Sequence, residues 1–164
     1  MTQKPGPVGI GVCVWLAAAA FASIYPNGVR AAARQSIEAR PAPGREVFLK
    51  LCSDCHGIED VIASRRSRDQ WREVIDRMVD KGAAGTEDEL AATLRYLLAA
   101  YGRANLNKAT AADIALVLGI PTEQAEAIVK YRTVNGPFED FDALSKVPDL
   151  DVPKLSKIRD AIAF

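Results

Sequence analysis

The sequence predicts an all-α protein. From Arg45 onward the apolar residues return at intervals of three and four, the spacing that puts them on one face of a helix. Helix-start signals such as Thr86 with Glu89 precede these stripes, and glycine or proline breaks such as Gly119-Ile120-Pro121 and Gly136-Pro137 separate them. At 164 residues the chain admits one ordinary domain or two small ones. Lys+Arg and Asp+Glu both number 21, so no overall charge bias points to nucleic acid or an anionic membrane. A hydrophobic content of 49% excludes a disordered chain.

Residues 1–25 read as a signal peptide or membrane anchor. Lys4 is followed by no charge until Arg30, and Val8 to Ala22 is the most apolar part, shorter than the roughly 20 residues that span a bilayer comfortably. Ala20-Phe21-Ala22 is an A-x-A-like cleavage site. Cys13, preceded by Val12, fits an apolar signal core better than a lipoprotein processing site. The protein is therefore expected to be periplasmic or otherwise extracytoplasmic, with residues 8–25 as a membrane tether if the signal stays uncut. Residues 26–43, rich in Ala, Pro and Arg, read as a flexible linker with an r.m.s. reach of roughly 20–25 Å.

In residues 44–103 three helical stripes follow. Val47, Phe48 and Leu51 mark the first, Trp71, Val74, Ile75 and Met78 the second, and Leu90, Leu94, Leu97, Leu98 and Tyr101 the third. Thr86 and Glu89 form a capping box before the third, and Gly102 is a natural stop. So small a helical unit buries little apolar surface, which predicts an additional staple.

The segment Cys52-Ser53-Asp54-Cys55-His56 supplies one. A thioredoxin-like redox pair would need a βαβ context, which is absent. A closed zinc site would need further Cys or His, and after Cys13 the chain has none beyond Cys52, Cys55 and His56. A Cys52–Cys55 disulfide would close a very small loop and leave His56 without a role. The pattern C-x-x-C-H is that of c-type haem attachment, in which two thiols bond the haem vinyl groups and the adjacent imidazole becomes an axial iron ligand. Met78, the only methionine besides the initiator, is the candidate for the opposite position, on the same helix face as Trp71, Val74 and Ile75. With both axial positions filled, no site stays open for substrate, so the expectation is single-electron transfer rather than enzyme catalysis.

These residues, with "DQWREVIDRM" and "LRYLLAAYG" around them, resemble the short class I cytochrome c domains found alone or attached to periplasmic dehydrogenases. The resemblance implies one covalent haem c on Cys52 and Cys55, iron ligation by His56 and Met78, and Trp71 as the aromatic packed beside the haem. Arg45, Arg65, Arg66 and Arg68 are candidates to meet the haem propionates, against a plainer role as surface arginines.

Residues 104–164 carry two helix-turn-helix units. The first pairs helices near Ala111–Leu118 and Thr122–Thr133; the second pairs shorter helices near Phe141–Lys146 and Pro153–Ala163. With Leu106-Asn107-Lys108-Ala109 at its opening and Tyr131-Arg132 leading to Gly136-Pro137-Phe138, this part resembles the double helix-hairpin-helix domain of competence-type DNA receptors. The same fold occurs in a small extrinsic subunit of photosystem II, where it serves protein association.

The DNA-binding version reads roughly G-I-G in each hairpin, with helix-terminal N–H groups holding a phosphate. Here Pro121 replaces one glycine and has no N–H, and Asp149 and Asp151 stand at both glycine positions of the second hairpin. Residues 104–164 contain seven Lys+Arg against nine Asp+Glu, an unfavourable balance for phosphate neutralisation. The expectation is therefore an electron carrier whose hairpin module docks a protein redox partner, with DNA disfavoured. The alternative is a haem-bearing, competence-like DNA-binding protein at the cell surface.

Overall fold

The computed structural model describes residues 1–2 and 39–164. The predicted signal or anchor (Val8–Ala22, Cys13, the tether at 8–25) and most of the predicted linker lie outside the described residues.

The described chain is mainly helical. Its first four helices are α1 (Arg45–Cys52), α2 (Glu59–Ile62), α3 (Arg68–Asp80) and α4 (Glu87–Tyr101). Their starts follow from local chemistry. Ser67 accepts from the Gln70 N–H while the Gln70 side chain accepts from the Ser67 N–H, and Thr86 and Glu89 form the same reciprocal pair at α4. The α1 stripe is anchored by fully buried Phe48, whose ring stacks on Tyr96 of α4 with centroids 4.8 Å apart. The short helix α2 was not among the expected elements.

Ala39 and Arg40, at the end of the predicted linker, are held by the folded part. The Arg40 N–H donates to the Tyr101 hydroxyl at 2.7 Å, and the Tyr96 hydroxyl donates to the Arg40 carbonyl at 2.9 Å. Ala39 is buried.

Beyond Gly102 come the strand β1 (Ala104–Asn105), α5 (Ala111–Leu118), α6 (Thr122–Asn135), a 3-10 turn at Asp142–Lys146, α7 (Val152–Ser156), a second 3-10 turn at Arg159–Ala161, and β2 (Ile162–Ala163). The expected last helix, Pro153–Ala163, ends early. Ala104 and Asn105 pair in parallel with Ile162 and Ala163, and the Leu106 N–H donates to the Ala163 carbonyl at 2.8 Å. These bonds satisfy the terminal backbone in a way that a continued helix could not. The core of this half is dense: Leu106, Ile114, Ile128, Leu144 and Leu155 are all fully buried.

The two halves share a closely built seam. The Arg66 N–H donates to the Tyr101 carbonyl at 3.1 Å, and the Arg103 N–H donates to the Arg66 carbonyl at 2.9 Å. At the end of α4, a Cβ on Gly102 would lie 2.2 Å from the Leu98 carbonyl oxygen and 2.6 Å from Val117 Cγ2, so α4 and α5 approach as closely as only glycine permits. Gly102 thus stops the helix with an ordinary negative φ of −74°, and its smallness serves the crossing. Arg68 forms an ion pair with largely buried Asp113 of α5, and Arg65 Nε donates to Asp160 Oδ2 at 2.6 Å. Hydrogen bonding by Arg65 pulls the Asp160 carboxyl below its usual pKa.

Candidate functional site

A cavity opens between α1, α3 and α4, with about 870 Å³ of space including its mouth. Its walls are mostly apolar, from Leu51, Val61, Val74, Ile75, Leu90 and Leu97. Cys52, Cys55, His56 and Met78 also line it. The last turn of α1 delivers Cys52, the loop after it carries Cys55 and His56, and the amphipathic face of α3 presents Val74, Ile75 and Met78 together. Four residues selected from the sequence, from positions as far apart as 52 and 78, thus meet at one concavity.

Cys52 is half-buried, and burial pushes its thiol up to about 11; Cys55 and His56 are exposed at the rim. A thiol held protonated in this way is unlike the activated thiolate of a redox dithiol. His56 Nδ1 lies 2.7 Å from the carbonyl oxygen of Gly57, which leaves Nε2 as the nitrogen available to a metal.

Trp71 does not line the cavity, contrary to the expectation that it packs beside the cofactor. It is fully buried toward the seam, where its indole N–H donates to the Tyr101 carbonyl at 3.1 Å and the Arg66 guanidinium lies 4.8 Å above its ring. A buried indole needs an acceptor, and the end of α4 provides it. The candidate propionate arginines are likewise engaged elsewhere: Arg45 with the Ala39 carbonyl, Arg65 with Asp160, Arg66 with the Val61 carbonyl and Arg68 with Asp113. Among the described residues, the cation lining the cavity is Lys81.

Sequence reasoning missed Thr93. It is 1% exposed, lines the cavity, and its hydroxyl has no hydrogen-bond partner. Its signal was legible: Thr93 falls on the face of Leu90 and Leu97, a polar residue inside an apolar stripe.

In the C-terminal half, the two hairpin turns lie side by side. Gly119 ends α5 in the left-handed conformation, φ 60° and ψ 39°, which glycine adopts at little cost. Asp149, at φ 59°, also takes a positive φ in the second turn although it is not glycine. Lys154 Nζ donates to the Gly119 carbonyl at 3.1 Å, and Gln124 Nε2 donates to the Asp149 carbonyl at 3.0 Å, so each turn is tied to the helix that follows the other. Pro121 caps α6 without a side-chain bond, and its carbonyl accepts from the Gln124 and Ala125 N–H groups. Asp151 caps α7 by accepting from the Lys154 N–H at 3.0 Å. Lys108, Lys130, Lys154, Lys157 and Arg159 are exposed.

The helix-hairpin-helix motif family matches residues 100–163. Residues 100–163 form a helix-hairpin-helix domain. The chain is 43% identical over 61 residues to an uncharacterized protein of Haemophilus influenzae, covering 37% of this chain and 54% of that one. It is 33% identical over 58 residues to ComE operon protein 1 of Bacillus subtilis, covering 28% of it. It is 37% identical over 60 residues to the endonuclease/exonuclease/phosphatase family domain-containing protein 1 of Xenopus laevis, covering 11% of it. The chain thus spans about half of the first relative and much less of the others. No solved structure matches.

These matches correct the expected function. A helix-hairpin-helix domain with a ComE operon relative favours the competence-like, DNA-binding alternative over an electron carrier that docks a protein partner. The hairpin geometry explains how the sequence misled. The acidic residues at the turns were read as replacing a binding surface, yet Asp149 preserves the glycine-like backbone and Asp151 serves α7 as its cap. In the sequence the substituted side chains disfavour DNA at these hairpins, both of which are expected and are present.

Proposed function

We propose that this protein binds DNA through its helix-hairpin-helix domain, in the manner of competence-type proteins and outside the cytoplasm, and that its N-terminal cavity carries a covalently held haem c. The match of residues 100–163 to the helix-hairpin-helix family is the observation that carries the DNA-binding reading. The two turns are tied to each other through Lys154 and Gln124, with Lys154 on the short helix α7, Lys157 just after it and Lys130 on the longer α6. Because Pro121 donates nothing, backbone contact to a phosphate at the first hairpin falls to Thr122 and Glu123, the opening N–H groups of α6. The domain's acidic excess makes such binding weak, with a salt dependence that scales with the number of phosphates contacted.

The extracytoplasmic placement rests on the apolar run at Val8–Ala22 and on the likeness to ComE operon protein 1. The haem assignment rests on the donor set. Cys52 and Cys55 would hold the group by thioether bonds, and His56 and Met78 would ligate its iron. The apolar walls suit a porphyrin face, and the buried, unpartnered Thr93 hydroxyl on the cavity wall supports an occupant there. When bound, such a group would supply a redox-active iron held by His56 and Met78.

Fluorescence anisotropy with a labelled 20–30 base-pair duplex tests the first part, the length being about that of a typical protein–DNA site. Binding at low salt that weakens linearly in log–log form as salt rises is expected; no binding at about 50 mM salt would overturn it. Haem staining after denaturing electrophoresis tests the second. Stain retained by the wild type and lost by Cys52→Ala/Cys55→Ala is expected, and an unstained wild type matured in an export host with haem-attachment machinery would remove the cofactor.

A further inference from the structure

We infer that the Thr93 hydroxyl is a contact residue for the occupant of the N-terminal cavity, making with it the hydrogen bond it lacks in the bare polypeptide. This rests on the haem reading above. A hydroxyl removed from water without a partner is destabilising, and native interiors avoid the arrangement. Thr93 is 1% exposed and sits on α4 between Leu90 and Leu97, where an aliphatic residue would satisfy the helix stripe and the packing alike. Threonine also has a lower helix propensity than leucine, so neither secondary structure nor core packing accounts for it.

The other polar groups of the cavity wall have roles without it. Cys52, Cys55 and His56 belong to the attachment motif, and Lys81 lies exposed on the rim. Among the described residues, Thr93 alone is fully enclosed, polar and unpartnered. What reaches it must arrive with the occupant and must offer a hydrogen-bonding atom. The four porphyrin nitrogens are committed to iron, which leaves a propionate carboxyl of the porphyrin edge as the hydrogen-bonding group.

Thr93→Val keeps the shape and removes the hydroxyl, so its effect on stability should change sign with occupancy. In the unloaded Cys52→Ala/Cys55→Ala background, valine ends the buried orphan and should raise Tm by about 2–4 °C. In the haem-loaded protein the same substitution removes a hydrogen bond and should lower Tm by a similar amount, with Thr93→Ser restoring most of it. A Tm raised equally in both backgrounds overturns the inference.

Two labels then locate the partner. With 5-aminolaevulinate labelled by ¹³C at its carboxyl carbon, a propionate partner appears as a carboxylate stretch that shifts between wild type and Thr93→Val. With ¹⁵N-histidine, an Nδ1–H resonance of His56 that shifts instead would make His56 the partner and overturn the contact with the occupant. A chain that acquires no haem shows no Soret band and defeats the cofactor reading itself, whereas a loaded chain with no inversion defeats only the role of Thr93.

Discussion

The two halves of this molecule solve the problem of small size differently. Residues 104–163 close a core in which Leu106, Ile114, Ile128, Leu144 and Leu155 are completely buried, and a two-residue parallel pairing joins its ends. Between α1, α3 and α4, by contrast, Val74, Ile75 and Met78 are only half-buried and line a cavity open to solvent. A filled core needs nothing beyond its own side chains to offset chain entropy, while a hollow one draws stability from what enters it. The difference teaches where to look for chemistry: the dense half presents its surface, and the open half presents its interior.

The largest test of that contrast is a matched truncation. Ile128→Ala should destabilise the C-terminal core by about 2–5 kcal/mol in urea unfolding. Ile75→Ala, at the cavity wall, should cost well under that in the unloaded protein and more once haem is bound. Equal costs in the unloaded protein would show that the N-terminal interior is as tightly packed as its neighbour.

The seam between the halves comes next. Arg68→Ala strands largely buried Asp113 and should cost about 1–3 kcal/mol, with the two halves unfolding in separable transitions if this ion pair is what couples them. Coincident transitions by far-ultraviolet circular dichroism and tryptophan fluorescence would leave the coupling to the backbone bonds at Arg66.

A smaller effect is expected at the DNA-facing turns. Asp149→Gly relieves a left-handed non-glycine residue and removes a negative charge, so duplex affinity should rise about fivefold at low salt. An unchanged anisotropy curve would place the second hairpin away from the phosphates.

The smallest concerns pH. Arg65 holds the Asp160 carboxyl below its usual range, so the pair adds stability above the ordinary carboxylate pKa and loses it as pH falls through the depressed value. The pair is largely solvent-exposed on the aspartate side, which keeps the contribution small. The Tm difference between wild type and Asp160→Asn should be slight at neutral pH and vanish in strong acid.

Much of the fold, and four of the residues that line the cavity, were legible in the chain. Thr86 with Glu89 located the start of α4, and Gly119-Ile120-Pro121 located the first hairpin, because caps and turns act through backbone groups within a few residues. Cys52, Cys55, His56 and Met78 stood out by scarcity. The direction of Trp71 was not legible, since an indole on the α3 stripe can face either the cavity or the seam, and the Tyr101 carbonyl that decides it lies 30 residues away. The early end of the last helix was hidden for a similar reason: β2 exists only because Ala104 and Asn105 lie beside it.

By itself, then, the sequence determined the helical class, the positions of most helix starts and turns, and the clustered ligand types at Cys52 to His56, all of which depend on neighbours along the chain. Only the tertiary structure decided that Met78 shares a cavity with that cluster, that Trp71 does not, that Asp149 keeps a glycine-like turn, and that Thr93 is buried without a partner. The physical reason is that a side chain's partners are set by which surfaces meet in packing, and packing joins residues that no local pattern connects.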